Sequence, residues 1–219
     1  MNKSEFKLLR LQAVMITCSI VSPIVTTKLI QTNLTVFNIE ATFSASVFIY
    51  AVVFMISNVI TERYGKENSV MTIRVGILAQ LISSLLLFIV QLLPTQDVKI
   101  QEAYKLILGS NFIFVLAGVV AVFASQTCNT AIYYELRKKR KLQPWIVNVI
   151  STIIGQFVDT IVFLGLSFGL GLQYFFNTEQ RNLLFIMMLI QYSLRVIIVF
   201  AEIPIFRWIT KSYSKHQIG

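Results

Sequence analysis

Six long apolar stretches dominate this 219-residue sequence and leave few architectures open to it. They cover residues 11–30, 42–61, 71–93, 110–134, 146–172 and 182–207. A helix needs about 20 mostly apolar residues to cross a hydrocarbon layer of about 30 Å, and each stretch reaches that length. Strands of a membrane β-barrel would be about ten residues long with alternating polarity. The sequence therefore predicts an all-α integral membrane protein with six transmembrane helices.

The composition argues against a soluble protein and against a nucleic-acid partner. Charged residues make up 13% of the chain, whereas a soluble domain has about 25%. The net charge of +9 comes from Lys and Arg that lie between the apolar stretches. The basic run Arg137–Lys141 is one of these segments, where Lys and Arg meet anionic lipid. We expect the lipid bilayer as a partner, and no nucleic acid.

The distribution of Lys and Arg predicts that both termini are cytoplasmic. With the N-terminus inside, thirteen of these residues lie in inner segments and four in outer segments. Such an inner excess sets the orientation of membrane helices. The first stretch carries Pro23 and Lys28 without a following cleavage site, so we expect a helix rather than a signal peptide. No linker divides the chain, which predicts one compact six-helix bundle over residues 1–219.

Two opposite charges are predicted to meet near the middle of the layer. At a helical rise of about 1.5 Å per residue, Asp159 lies about 22 Å beyond Pro144, and Arg195 lies about 21 Å beyond Arg181 on an antiparallel helix. An ionisable side chain in hydrocarbon costs about 2.5–3.5 kcal/mol on insertion scales. We expect Asp159 and Arg195 to pair, either as a structural lock between helices or as part of a binding site.

Further polar side chains lie on single faces of four predicted helices, at helical spacing. They are Asn58 and Glu62 on the second helix, Gln126, Asn129 and Thr130 on the fourth, Asn148, Thr152, Gln156 and Asp159 on the fifth, and Gln191, Arg195 and Glu202 on the sixth. Lipid cannot satisfy these groups, so the faces should converge inside the bundle. We predict that all of them except Thr130, Gln191 and Glu202 bind a substrate.

A short repeat supports a binding site at mid-depth. The pattern Ser125-Gln126-x-x-Asn129-Thr130-x-x-Tyr133 returns as Gly155-Gln156-x-x-Asp159-Thr160-x-x-Phe163. The two helices run in opposite directions, so the copies are inverted, and many transporters build their sites from inverted elements. The fifth stretch is also long, about 40 Å as a helix. We expect it to tilt, or to loosen at Gly165, Gly169 and Gly171.

The chemistry of these faces favours a flat heterocycle as the ligand. Amide, carboxylate and guanidinium groups can read the edge of a ring, and Tyr133, Phe157 and Phe163 could stack on its faces. A metal ion would need more carboxylates or His residues than the spans contain, so we expect no metal and no cofactor. A nucleobase or a vitamin-like ring fits best.

Three segments resemble the queuosine precursor transporter family, which is also called the vitamin uptake transporter family. They are FMISNVITERYGK at Phe54–Lys66, ASQTCNTAIYYELRKKR at Ala124–Arg140 and STIIGQFVDTIVF at Ser151–Phe163. The resemblance implies import of a 7-deazaguanine base (preQ0, preQ1 or queuine) across the bacterial inner membrane, for tRNA modification. The family commonly has Asp where this chain has Asn58 and, often, Asn129, and some members have Lys at the position of Arg195.

Two other kinds of function remain open at this point. The chain could be the substrate-binding subunit of an energy-coupling factor transporter, which would require ATPase partner subunits. Ala13 and Thr17 give a weak pattern of small residues for such docking. An intramembrane enzyme is the third alternative, but His216 in the polar tail is the single histidine, so we expect no enzyme. A homo-oligomer is also compatible with the sequence.

Overall fold

The protein is a bundle of long antiparallel helices. The computed structural model describes residues 3–36, 39–108 and 111–212; His216 lies outside these ranges. The helices are α1 (Lys3–Thr26), α2 (Ser46–Tyr64), α3 (Lys66–Leu92), α4 (Val98–Leu108), α5 (Asn111–Lys139), α6 (Pro144–Leu164) and α7 (Thr178–Ser212). Within the described ranges, all of them except α4 are long and apolar enough to cross a membrane. The prediction of six transmembrane helices is confirmed, whereas the orientation and the single domain stay predictions.

The connection between α1 and α2 differs from the prediction. It is an antiparallel hairpin of β1 (Leu29–Val36) and β2 (Ile39–Ser44), with Leu29 opposite Ser44 and Val36 opposite Ile39. The predicted stretches 11–30 and 42–61 were therefore wrong at these ends. The segment is rich in Thr, Ile and Val, which favour strands. Its apolar residues extended the predicted spans although its backbone is not helical.

Helix α2 forms the centre of the bundle. Fourteen of its 19 residues are buried, and it packs against α1, α3, α5, α6 and α7. The single residue Gly65 joins it to α3, with φ 87° and ψ 164°, a conformation that is essentially restricted to glycine. The buried residues of α3 are Ser69, Thr72, Ile73, Gly76 and Gln80. The inner face of α3 is thus mostly small or polar, and its apolar residues face outward, as a lipid-facing helix requires.

The outer end of α6 loosens as the sequence predicts. The helix continues as a π-helical segment, Gly165–Gly171, and is followed by a 3₁₀ turn at Tyr174–Phe176. Together α6 and the π-helical segment form a candidate span of 28 residues. The short helix α4, between α3 and α5, was not predicted, because its 11 residues fall below the length of a span.

Two apolar clusters frame the polar interior. One lies towards the predicted cytoplasmic side and includes Val59, Ile60 and Val147. The other lies at the opposite ends of α5, α6 and α7 and includes Phe114 and Leu184. Along α5 and α6, the buried polar residues Ser125, Gln126, Gln156 and Asp159 lie between the residues of these two clusters.

Candidate functional site

Asp159 and Arg195 form an ion pair inside the bundle, as predicted. Arg195 Nη1 donates to Asp159 Oδ2 at 2.5 Å, and each side chain is 1% exposed. Ser125 on α5 donates from Oγ to Asp159 Oδ1 at 3.2 Å. The Arg195 guanidinium also lies over the ring of Tyr50, with its carbon 5.5 Å from the ring centroid. Tyr50, Ser125, Asp159 and Arg195, together with Gln80 of α3, are called the outer cluster below.

A second polar group lies nearer the predicted cytoplasmic side. Asn58 donates from Nδ2 to Asn148 Oδ1 and to Thr152 Oγ1, each at 2.8 Å. Asn129 donates from Nδ2 to Asn58 Oδ1, also at 2.8 Å. All four side chains are buried. This inner network (Asn58, Asn129, Asn148 and Thr152) ties α2 to α5 and α6, so the predicted convergence of these faces is confirmed.

Beyond the inner network, Glu62 lies at the predicted cytoplasmic end of α2. Arg137 donates from Nε to both carboxylate oxygens of Glu62, at 3.1 and 3.0 Å, and from Nη2 to Oε1 at 3.0 Å. Tyr133 donates its hydroxyl to Glu62 Oε2 at 3.1 Å. The sequence indicated only an orientation signal at Arg137. The Glu62–Arg137 pair joins residues 75 positions apart, and no local pattern announces such a contact.

The two copies of the repeat cross each other in the structure. The first residue of one copy, Ser125, bonds to the fifth residue of the other, Asp159. The reciprocal positions also meet, because a Cβ placed on Gly155 would lie 2.8 Å from Asn129 Cβ. A side chain at position 155 would therefore push α5 and α6 apart. These paired contacts are those expected of two inverted elements that meet at mid-depth.

Four buried glutamines have no hydrogen-bond partner for either amide atom among the residues that the structure describes. They are Gln80 on α3, Gln126 on α5, Gln156 on α6 and Gln191 on α7. Gln126 and Gln156 were predicted to bind substrate. Gln191 was noted only as part of a polar face, and Gln80 was missed because a lone amide in an apolar helix forms no pattern. A buried amide without a partner costs about 1–3 kcal/mol. A bound molecule that forms hydrogen bonds with these side chains would remove this cost.

The aromatic side chains correct one expectation. Phe157 is 49% exposed and packs edge-on against Tyr192 on the outer surface of the bundle, so its predicted stacking role was wrong. Helical rotation places it on the lipid side, although it directly follows Gln156. Phe163 is buried and packs against Phe114, and Tyr133 is bonded to Glu62. The ring with its face towards the polar centre is Tyr50, beneath the Arg195 guanidinium.

The comparison with known families settles the class of the protein. Residues 44–209 match the family model described as "Putative vitamin uptake transporter". The chain belongs to this family. The matched range contains all nine residues that the sequence predicted for substrate binding. No curated protein and no solved structure matches the chain significantly. Family membership and the six long apolar helices indicate a multi-pass membrane protein.

Proposed function

We propose that this family member imports a queuosine precursor, a 7-deazaguanine base such as preQ0, preQ1 or queuine, across the bacterial inner membrane. The observation that carries the proposal is the pair of central glutamines, Gln126 and Gln156. Both are buried and lack partners in the described part of the chain. A primary amide offers two N–H donors and a carbonyl acceptor. Two amides on adjacent helices therefore match a ring whose edge alternates N–H and C=O groups.

The Asp159–Arg195 ion pair offers the substrate further hydrogen-bonding groups in addition to the two amides. Each oxygen of Asp159 accepts one hydrogen bond, from Arg195 or from Ser125, and a carboxylate oxygen can accept more than one. The remaining lone pairs are available to ring N–H groups such as those of a guanine-like base. Substrate contact by Asp159, Arg195, Gln126 and Gln156 explains why ionisable and amide groups are kept where burial is costly.

In the same proposal, the inner network and Glu62 form the exit side of the substrate site. Asn58, Asn129, Asn148 and Thr152 bond to one another, and Glu62 is held by Arg137. A substrate that leaves towards the cytoplasm would exchange these bonds for its own. Alternating access of this kind works by small movements of one element against another around a fixed site.

Uptake by cells that cannot make queuosine precursors tests the proposal. Labelled preQ0, preQ1 and queuine are supplied one at a time, and queuosine in tRNA is the readout. The wild-type chain should support incorporation of at least one precursor, and Gln126→Leu and Gln156→Leu should abolish it. Gln180→Leu is the matched control, because Gln180 is exposed at the start of α7. No incorporation with wild type, or full incorporation with both Leu variants, would contradict the proposal.

One observation favours a second candidate function. Ala13 and Thr17 are both exposed on α1, so a face of small residues is accessible to another helix. The substrate-binding subunit of an energy-coupling factor transporter would dock there on a scaffold with ATPase subunits. Affinity purification from native membranes distinguishes the two: recovery of ATPase subunits supports the second candidate, and an importer working alone or as a homo-oligomer brings none.

A further inference from the structure

Gln80 lies at the same depth as the Asp159–Arg195 pair. At about 1.5 Å per residue, Gln80 is about 21 Å from the inner end of α3, and Asp159 is about 22 Å from the inner end of α6. Tyr50 of α2 likewise lies about 21 Å from the inner end of its own helix. Gln80 is 1% exposed and is the outermost of the buried residues of α3. Three helices thus place polar side chains at one level.

Gly118 on α5 makes the space that these side chains share. A Cβ placed on Gly118 would lie 3.3 Å from Gln80 Nε2, 3.6 Å from Tyr50 Oη and 3.9 Å from Phe163 Cε2. The amide, the phenol and an aromatic edge therefore surround one point next to the backbone of α5. Even a methyl group there would press on the amide of Gln80. The missing side chain lets the amide and the phenol both lie close to the backbone of α5.

Arg195 has a free edge in the same cluster. Its Nη1 donates to Asp159, while Nε and Nη2 have no partner within the described residues. These two N–H groups form one edge of the planar guanidinium and point in parallel, which is the geometry for two adjacent acceptors. The guanidinium keeps its proton in proteins. Two buried donors therefore remain to be satisfied by a ligand.

We propose that Gln80, Tyr50 and the Nε–Nη2 edge of Arg195 form a second recognition wall for the imported molecule, which takes the edge of an uncharged planar ring with two adjacent hydrogen-bond acceptors. The inference rests on the proposed transport function and adds residues and a charge requirement to it. Asp159 and Arg195 already cancel each other, so a neutral ring leaves the cluster neutral. A cationic ring would face the guanidinium, and an anionic ring would compete with Asp159 for it.

The first measurement is thermal unfolding of the purified full-length protein without ligand. Gln80→Leu removes an amide that bonds to nothing in the described chain, so its melting temperature should equal or exceed that of wild type. Gln12→Leu is the matched control, because Gln12 donates to Thr72 Oγ1 at 3.0 Å and its loss should lower the melting temperature. A clear fall for Gln80→Leu would show that the amide is structural and would overturn the inference.

The second measurement is binding of defined rings to wild type and variants. The probes are the neutral rings preQ0, guanine and pterin, the cation preQ1 and the anion orotate. We expect a neutral ring to bind wild type most tightly. Gln80→Leu and Arg195→Lys should each weaken it about five- to twelvefold, since one lost hydrogen bond is worth about 1–1.5 kcal/mol. Gly118→Ala should weaken it as well, and Gln12→Leu should not.

The outcomes separate this inference from the proposed transport function. Binding of guanine or pterin but of no deazaguanine would contradict the proposal that the substrate is a queuosine precursor. The same result would remain consistent with the recognition wall. Failure of every neutral ring, or preference for the cation or the anion, would overturn the recognition wall. Unchanged affinity in Gln80→Leu would also overturn it, even where uptake of a deazaguanine is confirmed.

Discussion

The inner network and the outer cluster are both buried and polar, yet they differ in how far their hydrogen bonds are met. In the inner network every side chain makes at least one hydrogen bond, although Asn129 Oδ1 and Asn148 Nδ2 have no partner among the residues described. Asn58 is bonded through both amide atoms to side chains of α5 and α6. Gln80 and the Nε–Nη2 edge of Arg195 have no such partners among the residues described. Buried polar groups that satisfy one another hold helices together, while unsatisfied ones cost stability unless something binds them. We therefore propose that the inner network contributes mainly to stability, and that the outer cluster and the central glutamines contribute mainly to recognition.

The largest effect is expected from breaking the ion pair in the outer cluster. Asp159→Asn leaves Arg195 buried without a counter-charge, which should cost about 3–5 kcal/mol of stability. Adding Arg195→Gln removes the unpaired charge, so the double variant should regain most of the loss. Substrate binding should stay absent in both. Thermal unfolding with and without substrate measures the two properties. Binding by the double variant would show that Asp159 is architectural and that the division of roles is wrong.

The next effect compares one residue of the inner network with the two central glutamines. Asn58→Leu removes the donor to Asn148 and Thr152 and the acceptor for Asn129, which should cost about 2–3 kcal/mol. Gln126→Leu and Gln156→Leu remove amides that lack protein partners in the described chain. Their stability should stay within about 0.5 kcal/mol of wild type or rise.

Denaturant unfolding in detergent, paired with uptake assays, checks this contrast. Gln126→Leu and Gln156→Leu should fold but fail to transport, and Asn58→Leu should unfold at a lower denaturant concentration than wild type. Equal destabilisation of all three variants would mean that the central glutamines bridge helices in the same way as Asn58 does. The contrast between the two regions would then disappear.

A smaller effect is expected where the inverted elements meet. The Cβ of Gly155→Ala would lie 2.8 Å from both Asn129 Cβ and Phe54 Cε1, and overpacking of this kind typically costs about 1–3 kcal/mol. Gly165→Ala is the matched control, since nothing lies within 4 Å of its Cβ position. Its stability should change by less than about 1 kcal/mol, with a gain from helix propensity. Thermal unfolding of the two variants gives the comparison, and equal behaviour would argue against close packing of α5 on α6.

How much of this site the sequence could predict depends on the range of the contact. The Asp159–Arg195 pair followed from counting residues along two helices of known rise, since hydrocarbon forces buried charges to pair. Gln80 and Arg137 did not follow, because their neighbours are set by how each helix rotates about its axis. The error at Phe157 has a different cause, because helical spacing already turns Phe157 away from the face that carries Thr152 and Asp159. The hairpin after α1 was missed because its apolar residues satisfy a hydropathy window as well as a helix does.

The last prediction tests the orientation of the protein in the membrane, because the names inner network and outer cluster depend on it. It uses single cysteines in a background where Cys18 and Cys128 are replaced by Ala. Cysteine at Asn33 in β1 or at Gln96 before α4 should react with an impermeant thiol reagent in intact cells, and cysteine at Lys139 should not. Gln96 and Lys139 are both exposed, so a difference in labelling reports the side of the membrane rather than burial. The changes at Gln96 and Lys139 should alter stability by less than about 0.5 kcal/mol. Labelling of position 139 in intact cells would reverse the bundle: the Glu62–Arg137 pair would then face the exterior, and the inner network would lie on the entry side of the imported ring instead of on its exit.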